Sequence, residues 1–213
     1  MSDDPAAAAA SWLARRLTEA VHRRGVGRIA VSGGATAPAV LSALGDLPIP
    51  WADVVVWQVD ERVAPDGDDS RNAGQLEKLS DRCVVHLMPV TAGDLRDAAR
   101  RYGAGLPPRF DVVHLGVGDD GHTASWPPGQ PEIARSERRV ELVDRFHGQP
   151  RMTLTRSVVD AARTRVVLAR GAGKRPVVER WLLGDDALPI SWVRRTGTRI
   201  YLDLAAAPDV PLQ

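Results

Sequence analysis

Short apolar, β-prone runs, each followed by a polar or glycine-rich loop and then by a helical pattern, recur along this 213-residue chain. Residues 28–31, 54–59, 111–115 and 165–169 are the clearest of them. The run 54–59, Val-Val-Val-Trp-Gln-Val, is almost continuously apolar instead of alternating, which is the pattern of a strand covered on both faces. Doubly covered strands belong to parallel sheets, whose crossover connections are helices. The fold class that follows is α/β: a single domain over residues 1–213, with a mostly parallel, Rossmann-like sheet flanked by helices. No repeat, low-complexity linker or shift of composition divides the chain.

The helical patterns fill the gaps. Leu13, Leu17 and Val21 recur every four residues within 6–24, and Gly25 ends that helix. Pro38 suits the first turn of a second helix running to about Leu44, before Gly45. Shorter helices are expected at 72–79, at 91–102 with Thr91 as cap, and at 174–183, with a turn or short helix at 158–162. Further strands are expected at 83–87, 138–143, 152–155 and 198–202, and residues 60–70 read as a charged loop with Pro65 and Gly67 as turn formers.

Composition excludes several functions. The chain has 28 basic and 27 acidic residues and a formal net charge of +1, so no whole-protein field favours nucleic acid or an anionic membrane. Attraction for an anion must be local. Cys83 is the lone cysteine, which rules out an intrachain disulfide or a cysteine metal cluster and leaves a small core residue as its expected role. No stretch is apolar enough to span a membrane, and the alanine-rich start lacks the pattern of a signal peptide, so a cytoplasmic protein is expected.

Chemistry concentrates where strands end. After the strand 111–115 comes a glycine-rich acidic loop, Gly116-Val-Gly-Asp-Asp-Gly-His-Thr-Ala-Ser125. His122 can act as general base on a water, and Asp120 can orient the ring and stabilise its charged form. His114, inside the strand, reads as a structural residue, and Ser125 lies outside any G-x-S-x-G elbow, which argues against a serine nucleophile. Ser32-Gly-Gly-Ala-Thr36 joins a strand to a helix. The Gly33 and Gly34 backbone can approach an anion, with hydroxyls from Ser32 and Thr36; read alone, the loop is equally a plain turn. It matches neither a Walker loop nor G-x-G-x-x-G. Asp60-Glu-Arg62 follows a buried strand and cannot enter the core unpaired, so its charges must face solvent or a site. Arg151 and Lys174 can add positive charge to a phosphate site, although each alone reads as a surface cation.

In combination these segments resemble the 6-phosphogluconolactonase family. Val31-Ser-Gly-Gly-Ala-Thr-Ala-Pro38 is similar to its S-G-G-[ST]-T-P loop, with Ala37 added, and Asp60-Glu-Arg62 with Val63 and Pro65 to its D-E-R-x-V-P segment. Leu115 to Ser125 is similar to L-G-x-G-x-D-G-H-T-A-S, Arg151-Met-Thr-Leu-Thr155 to R-[IM]-T-L-T, Gly171-Ala-Gly-Lys174 to G-x-x-K, and Asp203-Leu-Ala-Ala-Ala207 to a closing D-x-A-A. The resemblance implies a fold of the sugar-phosphate isomerase type and hydrolysis of 6-phosphoglucono-δ-lactone to 6-phosphogluconate, in the oxidative pentose phosphate pathway. It implies no cofactor and no metal. By position, His122 would activate water, Asp60 and Arg62 would meet the ring end, and Ser32, Gly33, Gly34, Thr36, Arg151 and Lys174 would hold the phosphate. Oxyanion donors would come from amides within 116–121 or from Arg62. A monomer is expected, with a small sugar-phosphate lactone as its partner.

The chain departs from the family pattern in places. Ser70-Arg-Asn72 stands for S-N, Trp126-Pro127 for Leu-Phe, and the segment 130–150 is short, which predicts a more open site. Two rivals remain. Glucosamine-6-phosphate deaminase has a similar G-x-D-G-H segment, but its pattern places glutamate where Pro127 stands and tyrosine where Arg62 stands. A non-catalytic sugar-phosphate sensor would come with a helix-turn-helix, for which the single N-terminal helix is too short.

Overall fold

The computed structural model describes residues 4–209, so the ends of the expected 1–213 domain lie outside it. Elements are numbered in chain order. The main sheet contains β1 (Gly27–Val31), β2 (Val54–Gln58), β4 (Val84–His86), β5 (Val112–Gly116), β8 (Thr164–Ala169) and β9 (Thr198–Leu202). Every neighbouring pair is parallel, in the order β4-β2-β1-β5-β8-β9. The expectation of a parallel sheet holds for all six strands. The cause is visible in β5, where Val112, Val113 and Leu115 are fully buried because both faces are covered.

One face is covered by α1 (Pro5–Arg24) and α2 (Ala37–Gly45), with Leu76 and Leu79 from the segment holding α3 (Glu77–Ser80). The Asp4 carboxylate accepts from the amides of Ala6 and Ala7 at 3.0 Å, Pro5 opens the first turn of α1, and Gly25 ends it in the left-handed region at φ 72°. Leu13, Leu17 and Val21 point into the core as their spacing predicts, each contributing about 1.5–3 kcal/mol of burial. The other face meets α4 (Leu95–Gly105), α6 (Arg156–Ala161) and α7 (Arg175–Leu182), through Ala98, Ala99, Val158, Val159, Val178 and Trp181. The short helix α5 (Pro131–Arg135) buries Ala134 in the same cluster. Among the described residues no helix is long and apolar enough to cross a membrane.

Two local expectations are corrected. The helix expected from Thr91 starts at Leu95, because the Asp94 carboxylate caps it by accepting from the Asp97 amide at 3.0 Å. The segment after Val59 does not begin as a loop. Asp60–Arg62 is a short strand, β3, in a second, antiparallel sheet ordered β3-β7-β6 with β6 (Val140–Phe146) and β7 (Gln149–Leu154). Its register sets Asp60, Glu61 and Arg62 opposite Thr153, Met152 and Arg151 of β7, a pairing hydropathy alone does not reveal. Cys83 is half-buried against the core as expected, and burial pushes its thiol up to about 11.

Candidate active site

The order of the main sheet reverses between β1 and β5: β1 continues to β2 on one side, and β5 continues to β8 on the other. Connections leaving two such strands diverge and open a crevice at their carboxyl ends. A cavity of about 380 Å³ lies there. It is lined by the 32–36 loop after β1, by Gly116, Val117, Gly118, His122 and Ala124 after β5, by Asp60 and Arg62 of β3, and by Asn72, His147, Arg151 and Lys174. Of the ten residues singled out from the sequence, nine line this cavity, and the tenth, Asp120, stands behind His122. A larger groove of about 980 Å³ between α4 and β6 mixes acids and arginines and contains no histidine among the described residues.

The loop after β5 folds around one histidine. The Gly118 amide donates to the His122 carbonyl at 2.8 Å and the Gly121 amide to the Gly118 carbonyl at 3.1 Å. Asp120 Oδ1 accepts from the His122 amide at 3.0 Å and lies 2.6 Å from His122 Nδ1. The ring is thereby held with Nδ1 as donor and Nε2 as the acceptor nitrogen. A Cβ on Gly118 would stand 2.0 Å from Nδ1, so only glycine fits beneath the ring. Burial lowers the His122 pKa, Asp120 and Asp60 oppose this, and the net result lies below an ordinary histidine. Burial alone would raise Asp120, but the His122 bonds and the two nearby imidazoles hold its carboxyl below the usual value. By contrast His114, fully buried within β5, is pushed down to about 4 by burial and is a neutral core residue, as its place in the strand predicts.

The geometry narrows the expected oxyanion donors, amides within 116–121 or Arg62. The amides of Gly118 and Gly121 are committed within the loop, as is that of His122. Arg62 is the better placed group: its Nη1 donates to the Ser70 carbonyl, while its buried Nε has no partner.

The neighbouring side chains are fixed from the small sheet. Asp60 is buried and accepts from Ser125 Oγ at 2.7 Å, so Ser125 positions a carboxylate and is no nucleophile. Glu61 is fully buried; Oε1 accepts from the amides of Arg62 and Asn72, and Oε2 from the Ala73 amide and Gln58 Nε2, at 2.7–2.8 Å. Arg71 Nε stands 3.8 Å away. Asn72 Nδ2 donates to the Asp60 carbonyl at 3.0 Å, and Gly33 packs so closely that an added Cβ would sit 2.1 Å from Asn72 Oδ1. Asn72 is a site residue despite the extra Arg71 before it.

Buried polar atoms without partners mark the other end of the cavity: Ser32 Oγ and Asn72 Oδ1. An unpaired polar atom in a cavity wall is stabilised only when a ligand or water reaches it. Arg151 is buried, its Nε donating to the Phe146 carbonyl at 3.2 Å and its guanidinium stacked 5.0 Å from the Phe146 ring. Lys174 Nζ pairs with Asp119 at 2.6 Å, and Thr36 precedes the first turn of α2. The short segment 130–150 supplies Phe146 and His147, whose rings pack edge-on against His122 at centroid distances of 4.9 and 5.3 Å. Asp120, His122 and His147 bring their donor atoms within 4.8 Å of one another. The 2.6 Å contact between Asp120 and Nδ1 is a hydrogen bond.

The profile of the family described as glucosamine-6-phosphate isomerases/6-phosphogluconolactonase matches residues 1–202. The chain belongs to this family. A 6-phosphogluconolactonase of Mesorhizobium japonicum is 38% identical over 217 residues, covering 95% of this chain and 88% of its own. A solved 6-phosphogluconolactonase of Shewanella baltica superposes with a TM-score of 0.86 at 27% identity, covering 95% of each chain. A monomeric glucosamine-6-phosphate deaminase superposes with a TM-score of 0.80 at 17% identity over 96% of this chain and 95% of its own, a likeness of fold alone. Within the family, both enzyme types thus share this backbone, and side chains must separate them. At position 127 this member has a buried proline. Ser125, Asn72 and His147 were not singled out from the sequence as site residues; the H-T-A-S run carries a signal for Ser125, whereas His147 carries none.

Proposed function

We propose that this enzyme hydrolyses 6-phosphoglucono-δ-lactone, with His122 as general base. The observation that carries this reading is the His122–Asp120 pair at 2.6 Å, set in a cavity whose other walls carry Arg62, Arg151 and Lys174. Ester hydrolysis needs a base for water, a donor for the oxyanion and a hold on the rest of the substrate. His122 Nε2 takes a proton from the attacking water as its oxygen bonds to the lactone carbonyl carbon. Arg62 stabilises the tetrahedral oxyanion. The bond from that carbon to the ring oxygen then breaks, and the imidazolium returns its proton to the departing oxygen. The products are a hydroxyl and a carboxylic acid, which ionises to release one proton. Asp120 keeps the ring in the productive tautomer throughout.

The phosphate, remote from the reacting carbon, supplies binding energy that orients the ring. Ser32, Gly33, Gly34 and Thr36 offer the amides and hydroxyls of a helix-terminal loop, and Arg151 and Lys174 add charge. The enzyme in this reading is a cytoplasmic monomer of one domain that needs no cofactor. Deamination is disfavoured because Pro127 supplies no carboxylate at the position where the deaminase pattern has glutamate.

The test compares hydrolysis of 6-phosphoglucono-δ-lactone with that of unphosphorylated glucono-δ-lactone, each corrected for spontaneous opening. Strong acceleration of the phosphorylated lactone is expected, with His122→Ala lowering kcat roughly 10²–10⁴-fold. Equal acceleration of both lactones would remove the phosphate-binding role from Arg151 and Lys174. Acceleration of neither would overturn the reading.

A further inference from the structure

The Asp120 carboxylate lies between two imidazoles. Oδ1 is 2.6 Å from Nδ1 of His122, and Oδ2 is 3.8 Å from Nε2 of His147. His147 belongs to neither the loop of His122 nor the main sheet. It sits at the tip of the β6–β7 hairpin, where Phe146 pairs with Gln149 across a two-residue turn. His147 and Gly148 both have positive φ, 49° and 82°, the backbone of a type I′ turn. Asparagine, aspartate and glycine are the favoured residues in such a turn, so a histidine in its first position makes no contribution to the turn itself. The side chain is held beside the site instead: its ring packs 4.1 Å from Phe146 and 5.3 Å from His122. More than half of it is exposed, at 55%, against 26% for His122.

Resting on the function proposed above, we infer that His147 is a positioning residue of the base: standing beside the far oxygen of Asp120 and edge-on to the His122 ring, it keeps His122 proton-free further into acid. The charges facing His122 are few enough to assign the direction. Asp120 on its own loop and Asp60 on β3 favour a protonated ring. Arg62 on β3, Arg151 on β7 and Lys174 before α7 line the same cavity, with Lys174 already paired to Asp119. His147, its ring 5.3 Å from that of His122, opposes protonation of His122. An imidazolium there also competes for the Asp120 carboxylate and weakens its stabilisation of a protonated His122.

The test is the acid limb of kcat/KM in the wild type, His147→Asn and His147→Lys. Asparagine is neutral and suits the turn, so the hairpin is retained; lysine keeps a permanent charge. In His147→Asn the acid limb is expected to move to higher pH by roughly half a unit or more, as a charge about 5 Å away in a partly solvated site requires. In His147→Lys it is expected at or below the wild-type position. A limb in His147→Asn that coincides with the wild type, or equal shifts in both variants, overturns the inference. Titration of the His122 ring by NMR in the same three proteins reads the identical ordering without substrate. If none of the proteins hydrolyses the lactone, the functional reading fails while the NMR titration still decides the role of His147.

Discussion

The two sheets contribute to the site in different ways. The six-stranded parallel sheet delivers two loops, the 32–36 loop after β1 and the 116–122 loop with His122 after β5, which reach the cavity because the strand order reverses between them. The three-stranded antiparallel sheet delivers side chains: Asp60 and Arg62 from β3, Arg151 from β7 and His147 from its hairpin. A wound parallel sheet sets positions through apolar burial, which is non-directional and tolerant. The small sheet sets them through hydrogen bonds to buried charges, which are directional and fail abruptly.

That contrast can be broken at its backbone end with Gly118→Ala. The added Cβ would stand 2.0 Å from His122 Nδ1 and 2.6 Å from Asp120 Oδ1. Displacing the ring removes the general base, so kcat should fall roughly 10²–10⁴-fold, as in His122→Ala. Thermal unfolding of the same variant separates displacement of the ring from a loss of fold. A variant retaining near-wild-type turnover would show that the loop yields and that the ring is not set by it.

Glu61→Ala tests the side-chain end. Four donors and Arg71 lose their shared acceptor, which should destabilise the protein by about 3 kcal/mol, measured by urea unfolding. Because Arg62 and Asn72 are among the groups released, KM should rise in the fraction that folds. A loss of stability without any change in KM would separate the anchor from the site.

His114 and His122, eight positions apart on one strand and its loop, sharpen the comparison through pH. His114 has a folded pKa of about 4, below the unfolded value near 6.5. The unfolded chain therefore binds the extra proton first, so the contribution is complete above about pH 6.5 and is lost as pH falls toward 4. The total is about 3 kcal/mol at most. Urea unfolding at pH 7 and pH 5 should reveal part of this loss, and His114→Gln should reduce the difference. If the variant keeps the full pH dependence, carboxylates and not His114 are responsible.

Much of this architecture is legible in the sequence because burial on both faces writes a continuous apolar run. All six parallel strands were expected at nearly their observed positions, and the strand-to-loop transitions at Val31 and Gly116 point directly to the cavity. The small sheet is less legible. Asp60-Glu-Arg62 has the composition of a solvated loop, and its role as a strand depends on Thr153, Met152 and Arg151, about ninety residues away. Glu61 hides for the same reason: a buried carboxylate is recognisable only once its donors converge. His147 is further from reach. Its importance comes from a turn that carries it to Asp120, a contact across 27 positions with no spacing rule to announce it. The Asp94 cap replaces Thr91 because a carboxylate three residues later meets the first free amides of α4.

The Lys174–Asp119 pair has one more consequence. In the free protein this lysine already holds an anion at 2.6 Å, and that anion belongs to a residue 77% exposed to water. On the proposed function, loading the site is an exchange of counter-ions: the arriving phosphate displaces a tethered carboxylate, which swings into solvent. A dianion competes with that carboxylate better than a monoanion does, so occupancy should weaken where the phosphate-ester dianion takes up a proton, at about pH 6. The ammonium meanwhile never faces the solvent bare, and stays extended toward the place where the next ligand arrives.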